Sequence, residues 1–295
     1  MSDNTSFKKA VKGLKPLRLV LGGPSGSGKS KTALIFANYL AKQTGKPTAA
    51  VDTEHGRLSL YADEYKFDVD EFEPPFHPEK LVEKIRDAEK EGYGQFIVDS
   101  STHFYSGTGG LLEIVADAAK NKFGGNQYYA WAVGTPMHNK LIDTIIRSPM
   151  HVILTSRSRQ KYLEQEKGGK KFYEKAGEDI IQRDGLEYEF DFCLMMDMDH
   201  TAMVSKGLNE IDTSVYFKKP DETTIERIMK ALQSDSVVKP PDAKELKRRI
   251  KTLVESASPE LKEKYKTLFV EFVNPNEVTE TNKLTELISK MKEIE

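Results

Sequence analysis

Apolar and polar positions along the first two hundred residues follow two alternating periods. Leu17, Leu19, Val20 and Leu21 form a short apolar run that ends in glycine and predicts a buried strand. From Lys31 to Gln43 the spacing is that of a helix, with Ala33, Leu34, Ala37, Leu40 and Ala41 on one side and Gly45 as its stop. Thr48 to Val51 predicts a second strand, running into Asp52-Thr53-Glu54. Pro78 opens another helix, with Leu81, Val82, Ile85 and Ala88 facing inward and Gly92 closing it. Gln95 to Asp99 reads as a buried strand capped by an acid. Helical stretches follow around Leu111 to Lys120 and Tyr129 to Arg147, and His151 to Thr155 reads as a fourth strand. Strands alternating with helices predict an α/β fold of right-handed βαβ units, a parallel central sheet with helices on both faces. Ligands of such sheets bind at the carboxyl ends of the strands.

From about Gln160 the pattern changes. Lys161-Tyr162-Leu163 and Lys171-Phe172-Tyr173 flank Lys167-Gly168-Gly169-Lys170 and predict a hairpin around a glycine turn. A pair of strands follows at roughly 190–198 and 201–205. Pro240-Pro241 reads as a linker, and Ala243 to Glu295 as a charged helical tail. The expected division is an N-terminal arm at 1–15, a core at 16–235 and a small C-terminal helical domain at 236–295.

The 295-residue chain is long enough to bury a sizeable core, and its net charge of −2 argues against a protein that coats itself in nucleic acid by bulk charge. It leaves room for a local basic loop. The single cysteine, Cys193, lies in the apolar run FDFCLMMD, excludes an internal disulfide framework and fits a reducing compartment. The first residues have no apolar signal core and no stretch reaches transmembrane length, so the expectation is a cytoplasmic protein with no membrane partner. His55, His77, His103, His138, His151 and His200 are scattered and predict no metal site. Asp197 and Asp199 fall on one face of a strand and are expected to meet solvent.

Candidate chemistry concentrates after the first strand. Gly23-Pro24-Ser25-Gly26-Ser27-Gly28-Lys29-Ser30 fits G-x-x-x-x-G-K-[ST], with a strand before it and a helix after it. Its glycines let successive N–H groups curl around phosphate oxygens, and the helix adds the positive end of its dipole. Lys29 is expected to reach the β- and γ-phosphates of ATP, and Ser30 to complete the shell of a Mg²⁺ ion; Lys31 is grouped with this loop. Asp99 is the acid expected to hold the metal's waters. The next residues are Ser100-Ser101, so the group that polarises attacking water must come from elsewhere. Glu54, at the end of the neighbouring strand, is the candidate. Thr155-Ser156 suits a sensor of the γ-phosphate; an ordinary strand-end hydroxyl fits as well.

Val51-Asp52-Thr53-Glu54-His55, with Tyr61 seven positions after Glu54, resembles the equivalent segment of RecA, and Phe96-Ile97-Val98-Asp99-Ser100 resembles the RecA strand that ends in the metal-binding acid. Residues 17 to about 198 look like a short phage-encoded ATPase with a RecA/RadA-like core. Shared runs include Gly109-Gly110-Leu111-Leu112, Ala130-Trp131, Thr135-Pro136, His151-Val152-Ile153 and, most distinctively, Gln182-Arg183-Asp184-Gly185-Leu186-Glu187-Tyr188-Glu189-Phe190. The resemblance implies that Glu54 activates water, that Tyr61 stacks on adenine, and that a basic group from an adjacent subunit completes the site; Arg183, Arg157 and Lys175 are the candidates. Leu58 stands where the RecA segment has an acid near adenine, which leaves base selectivity open. Phe7-Lys8-Lys9-Ala10 has the F-x-x-A form with which some recombinases dock subunits, but four letters fit a plain tail or edge strand better.

The segment 157–175 is the most basic part of the core, and Tyr162, Phe172 and Tyr173 lie among its cations. Cations that track phosphates, with aromatics for bases, are what single-stranded DNA requires. Arg157, Arg159, Lys161, Lys170 and Lys171 are the candidate contacts, diluted by Glu164, Glu166 and Glu174. The resulting expectation is an oligomeric, DNA-dependent ATPase assisting phage recombination or strand annealing, with a phage single-strand-binding or annealing protein as a further partner. A hexameric helicase or translocation motor is one alternative, and a nucleotide-dependent switch that binds a protein partner through the tail is another.

Overall fold

The first strand and the strands beside it alternate between two cores. A computed structural model describes residues 13, 15–167 and 170–233 (backbone only at 161–167 and 170–176), and of the C-terminal part residues 247, 250, 251, 254, 257–272 (backbone only at 259, 260 and 270–272), 287, 288 and 291. β1 (Arg18–Gly23) is buried along its whole length. Leu19 and Leu21 point into one core while Val20 points into the other; Ile97 opposes Phe96 and Val98, and Ile153 opposes Val152 and Leu154, in the same way. A strand buried on both faces reads as an unbroken apolar run, because the period of two has no polar partner face to show.

The elements follow in the order β2 (Thr48–Asp52), β3 (Asp68–Glu71), β4 (Gln95–Asp99), β5 (His151–Lys167), β6 (Lys170–Ile180), β7 (Phe192–Met196), β8 (Thr201–Lys206) and β9 (Tyr216–Lys218). The sheet order is β3-β2-β4-β5-β1-β7-β8-β9, parallel from β3 to β7 and antiparallel beyond it. Helices α1 (Lys29–Thr44) and α7 (Glu222–Leu232) cover the face of Leu19 and Leu21. Helices α2 (Pro78–Lys90) and α5 (Gln127–Arg147) cover the other. The expected α/β architecture, with a mostly parallel sheet between helices, is therefore present. Between α2 and α5 lie the short α3 (Thr102–Ser106) and α4 (Leu111–Lys122). α4 packs on α5 through Val115, Ala118, Ala119 and Ala130. A single turn, α6 (Leu186–Glu189), precedes β7.

Four differences from the sequence-based expectation have plain causes. β3 is an extra strand, so His151 opens the fifth strand and not the fourth. Its sequence, DVDE, is polar and largely exposed, as an edge strand can be. β5 does not stop at Thr155. It continues for 17 residues into the predicted hairpin, pairing with β6 from Ser158↔Ile180 to Lys167↔Lys170. Asp197 and Asp199 sit in the β7–β8 turn and not along a strand; Asp197 Oδ1 accepts the N–H groups of Asp199 and Thr201 at 2.9 and 2.8 Å. α7 has a full capping box at Asp221 and Thr224, a start signal that the sequence reading passed over.

Two buried polar groups tie the sheet's lower edge together. The Arg18 guanidinium donates to the carbonyls of Met150 (2.7 Å), Ile146 (3.0 Å) and Ser148, closing the C-terminal end of α5 against β1. Burial lowers its pKa to about 10, with Asp191 acting in the opposite direction. His151 Nδ1 accepts the Leu17 N–H at 3.0 Å. The chain divides into two compact units, 1–42 with 46–235, and 43–45 with 236–295. In the second, α8 (Pro259–Phe272) brings Tyr265 into a cluster with Ile250, Leu287 and Met291. The expected Pro240-Pro241 linker and the Phe7-to-Ala10 segment of the arm lie outside the described residues.

Candidate functional site

The loop from Gly23 to Ser30 has a backbone that a side chain would block. Gly23, Gly26 and Gly28 take φ of 149°, 84° and 91°. A Cβ on Gly23 would come within 2.4 Å of the Met196 carbonyl oxygen, so β7 walls the loop on one side. The turn after β7 covers another part: His200 Nδ1 donates to the Ser27 carbonyl at 3.0 Å, and Met198 reaches toward Gly26. The Ser27 hydroxyl is fully buried without a hydrogen-bond partner. Pro24 and Ser25 form the outer bend of the loop, and Ser27 N–H closes it onto the Pro24 carbonyl at 3.3 Å. Helix α1 begins at Lys29, and the free N–H groups of its first turn suit an anion.

Lys29 is 9% exposed and its ammonium donates to the Pro24 carbonyl at 2.7 Å. Burial pushes its pKa below the ordinary lysine value, while Asp99 and then Glu54 pull it back up. Asp99 ends β4, three per cent exposed. One carboxylate oxygen, Oδ1, accepts the Thr155 hydroxyl; the other, Oδ2, is buried and makes no hydrogen bond. Burial raises the Asp99 pKa, and the hydroxyls of Thr155 and Ser30 beside it act the other way. A buried, half-satisfied carboxylate next to the loop serine fits a hydrated divalent cation. The Asp99–Ser100 peptide bond is cis.

Register brings the rest of the predicted set to the same edge. β2 pairs Asp52 with Asp99 of β4, and β1 pairs Leu21 with Thr155 of β5, so Glu54, Asp99, Thr155 and the loop all emerge at the carboxyl end of the parallel sheet. The Asp52 carboxylate, buried, accepts the N–H of Glu54 (2.6 Å) and of Leu58 (2.8 Å), which fixes the turn carrying Glu54. Thr53 N–H bonds the Asp99 carbonyl at 2.7 Å. The Glu54 carboxylate is 18% exposed and is gripped by Arg157: Nε donates to Oε1 at 3.0 Å, and one terminal nitrogen donates to Oε1 and Oε2 at 2.7 Å each. Thr155, expected to face a γ-phosphate, is fully buried and donates its hydroxyl to Asp99.

Tyr61 closes a short 3-10 turn (Leu58–Tyr61) beside α1. Lys31 lies over its ring at 5.9 Å and pairs with Glu64 at 3.1 Å, so Lys31 faces the ring's side of the loop. Arg183 is placed apart from these groups. Its guanidinium stacks over Trp131 at 4.9 Å and donates to Thr135 Oγ1 at 3.2 Å. Arg159 pairs along the hairpin with Asp179, and the side chains of Lys161, Lys170, Lys171 and Lys175 lie outside the described residues.

His103 was read from the sequence as one scattered histidine; the structure brings it into the site. Its Nδ1 lies 2.7 Å from Thr53 Oγ1, which accepts the Ser100 N–H at 2.8 Å, and its ring stacks on Phe76. Burial lowers its pKa, and Arg157 adds to that effect. No local spacing announces it, because the contact is made between α3 and the end of β2. The cysteine behaves as expected of core: Cys193 is buried and burial raises its pKa to about 12.

Residues 15–237 match the AAA domain family. The chain belongs to that family. With the loop, Asp99 and the sheet order described above, it is a P-loop ATPase. No curated protein matches the sequence. Among solved structures, a KaiC-like protein from the hyperthermophilic archaeon Pyrococcus horikoshii OT3 is 16% identical, over 64% of this chain and 78% of that one, with a TM-score of 0.36. That likeness is too distant to carry function. No helix among the described residues is long and apolar enough to cross a membrane.

Proposed function

We propose that this AAA-domain protein is a DNA-dependent ATPase that hydrolyses Mg²⁺-ATP in response to single-stranded DNA and works as a homo-oligomer in phage recombination or strand annealing. Lys29 and the loop N–H groups would hold the β- and γ-phosphates, Ser30 and the free Asp99 Oδ2 the hydrated metal, and Tyr61 the base. A divalent cation held there would neutralise charge on the phosphates. Glu54 would orient and deprotonate the attacking water. An arginine from a neighbouring subunit is worth about a thousandfold or more in such sites, and Arg183, exposed to its own Trp131 and not to its own phosphate loop, suits that role.

The observation that carries the reading is the continuity of β5. The strand that holds Thr155 beside Asp99 continues, through a register shift between Gln160 and Tyr162, into the basic hairpin, so a ligand on Lys161, Lys170 and Lys171 would be linked to the phosphate site through one strand. Single-strand binding by such a hairpin is electrostatic and weakens with salt by about 0.7 of a logarithmic slope for each phosphate neutralised. Replacing Lys170 and Lys171 by Glu should weaken poly(dT) binding, read by fluorescence anisotropy, and reduce the salt slope by between one and two. Unchanged affinity and slope would remove the hairpin from the DNA contact.

A further inference from the structure

Glu54 and Arg157 are 103 positions apart in the chain, and the structure closes three N–H···O bonds between them. Two of these fill Oε1, through Nε and one terminal nitrogen, and the third occupies Oε2. A carboxylate gripped in this way has three of its roughly four acceptor positions taken by a guanidinium, which has no lone pair to pass a proton onward, and only Oε2 keeps one open. A general base must reach the water it deprotonates within hydrogen-bond distance. In the paired state that water must compete with the guanidinium for Glu54 and is left one position on Oε2.

Arg157 occupies a particular place in the fold. It is the last residue of β5 to pair with β1, opposite Gly23, the first glycine of the phosphate loop. The next residue, Ser158, begins the antiparallel ladder with β6. Its backbone is held on both sides: its N–H donates to Thr102 Oγ1 at 2.9 Å, and its carbonyl accepts the Ile181 N–H at 2.8 Å, where β6 ends. The Ile181 bond is therefore the contact through which a shift of the hairpin can reach the backbone from which this guanidinium hangs.

We propose that Arg157 is a positioning residue that holds Glu54 in an unproductive pose until the β5–β6 hairpin is engaged, and so makes ATP turnover depend on what the hairpin binds. This rests on the reading of Glu54 as the water-activating group and of the hairpin as the DNA-binding segment. The pair is half-exposed on the arginine side, so its strength is that of an ordinary partly solvated ion pair and the gain on release is moderate.

The test is steady-state ATP hydrolysis by the full chain at saturating ATP, with and without poly(dT), for wild type, Arg157→Ala and Arg157→Lys, with Glu54→Gln as the silent reference. Arg157→Ala should raise the DNA-free kcat by about twofold to fivefold and leave KM for ATP unchanged. The further gain on adding poly(dT) should shrink by the same factor. Arg157→Lys, which offers a point charge and no fork, should fall between the two. A fall in DNA-free kcat for both variants, with melting temperature preserved, would overturn the proposal and make Arg157 a group that serves the phosphates directly. If wild type ignores poly(dT) while Arg157→Ala still raises turnover, the hold on Glu54 stands and the DNA reading fails. If wild type responds to poly(dT) and Arg157→Ala leaves the DNA-free rate unchanged, the hold on Glu54 fails and the DNA reading stands.

Discussion

His151 shows how one buried side chain shapes the behaviour of the fold with pH. It is 9% exposed, accepts the Leu17 N–H through Nδ1, and burial, helped by Arg18, lowers its pKa from the ordinary 6.5 to about 4. Between those two values the unfolded chain carries the proton and the folded chain does not. Stability from this group is therefore intact above pH 6.5, declines as pH falls from 6.5 to about 4, and declines no further below that. The full loss amounts to about 3 kcal/mol at 1.36 kcal/mol for each pKa unit. Melting temperatures of wild type and His151→Asn between pH 7 and pH 4.5 check this: the asparagine variant starts lower, and its curve against pH should be flatter. Parallel curves would contradict it. The residues of the phosphate loop were legible in the sequence because their chemistry is local: eight consecutive positions supply the turn, the lysine and the hydroxyl. Asp52, His103 and Arg157 were not legible in their roles. His103 and Arg157 act on the Glu54 turn through tertiary contacts, between helix and strand or between strands, that no spacing records, whereas Asp52 holds it locally, by an Asx-type turn.

Elements carry the second set of consequences. α4 can approach α5 closely because Gly134 presents no side chain; a Cβ there would lie 2.4 Å from Val115 Cγ2 and 3.2 Å from the Trp131 ring. Val115 is buried in the layer between the helices and has little room to yield. Gly134→Val should cost about 1–3 kcal/mol by overpacking, seen as a lower melting temperature. An unchanged melting temperature would mean that the two helices separate at no cost. Helices α1, α2, α4 and α5 are legible in the sequence nearly to their ends, since an apolar stripe at helical spacing is a strong signal over a dozen residues, whereas the core helix α7 has no counterpart in the sequence reading. β3 was missed because an exposed edge strand of four polar-rich residues has no apolar alternation to find. The length of β5 was missed for a related reason: its outer part leaves the core and turns basic, so the apolar run ends at Thr155 while the strand continues to Lys167.

At the scale of the whole molecule, the sheet order explains why groups from distant parts of the chain meet. β4 and β1 flank β5, so the acid that ends β4 and the loop that follows β1 face each other across Thr155. β2 lies on the far side of β4 and delivers Glu54 to the same edge. The basic hairpin is the outward continuation of the central strand among these. A net charge of −2 means that any attraction for DNA comes from a local basic feature, as this hairpin is, and not from the protein as a whole. The measurement that tests this account most directly is ATP hydrolysis with and without single-stranded DNA, at low and at moderate salt, for wild type and Lys29→Ala. The account predicts hydrolysis that rises with DNA, loses that rise as salt increases, and disappears in Lys29→Ala. Hydrolysis by wild type that ignores DNA at every salt concentration would contradict it.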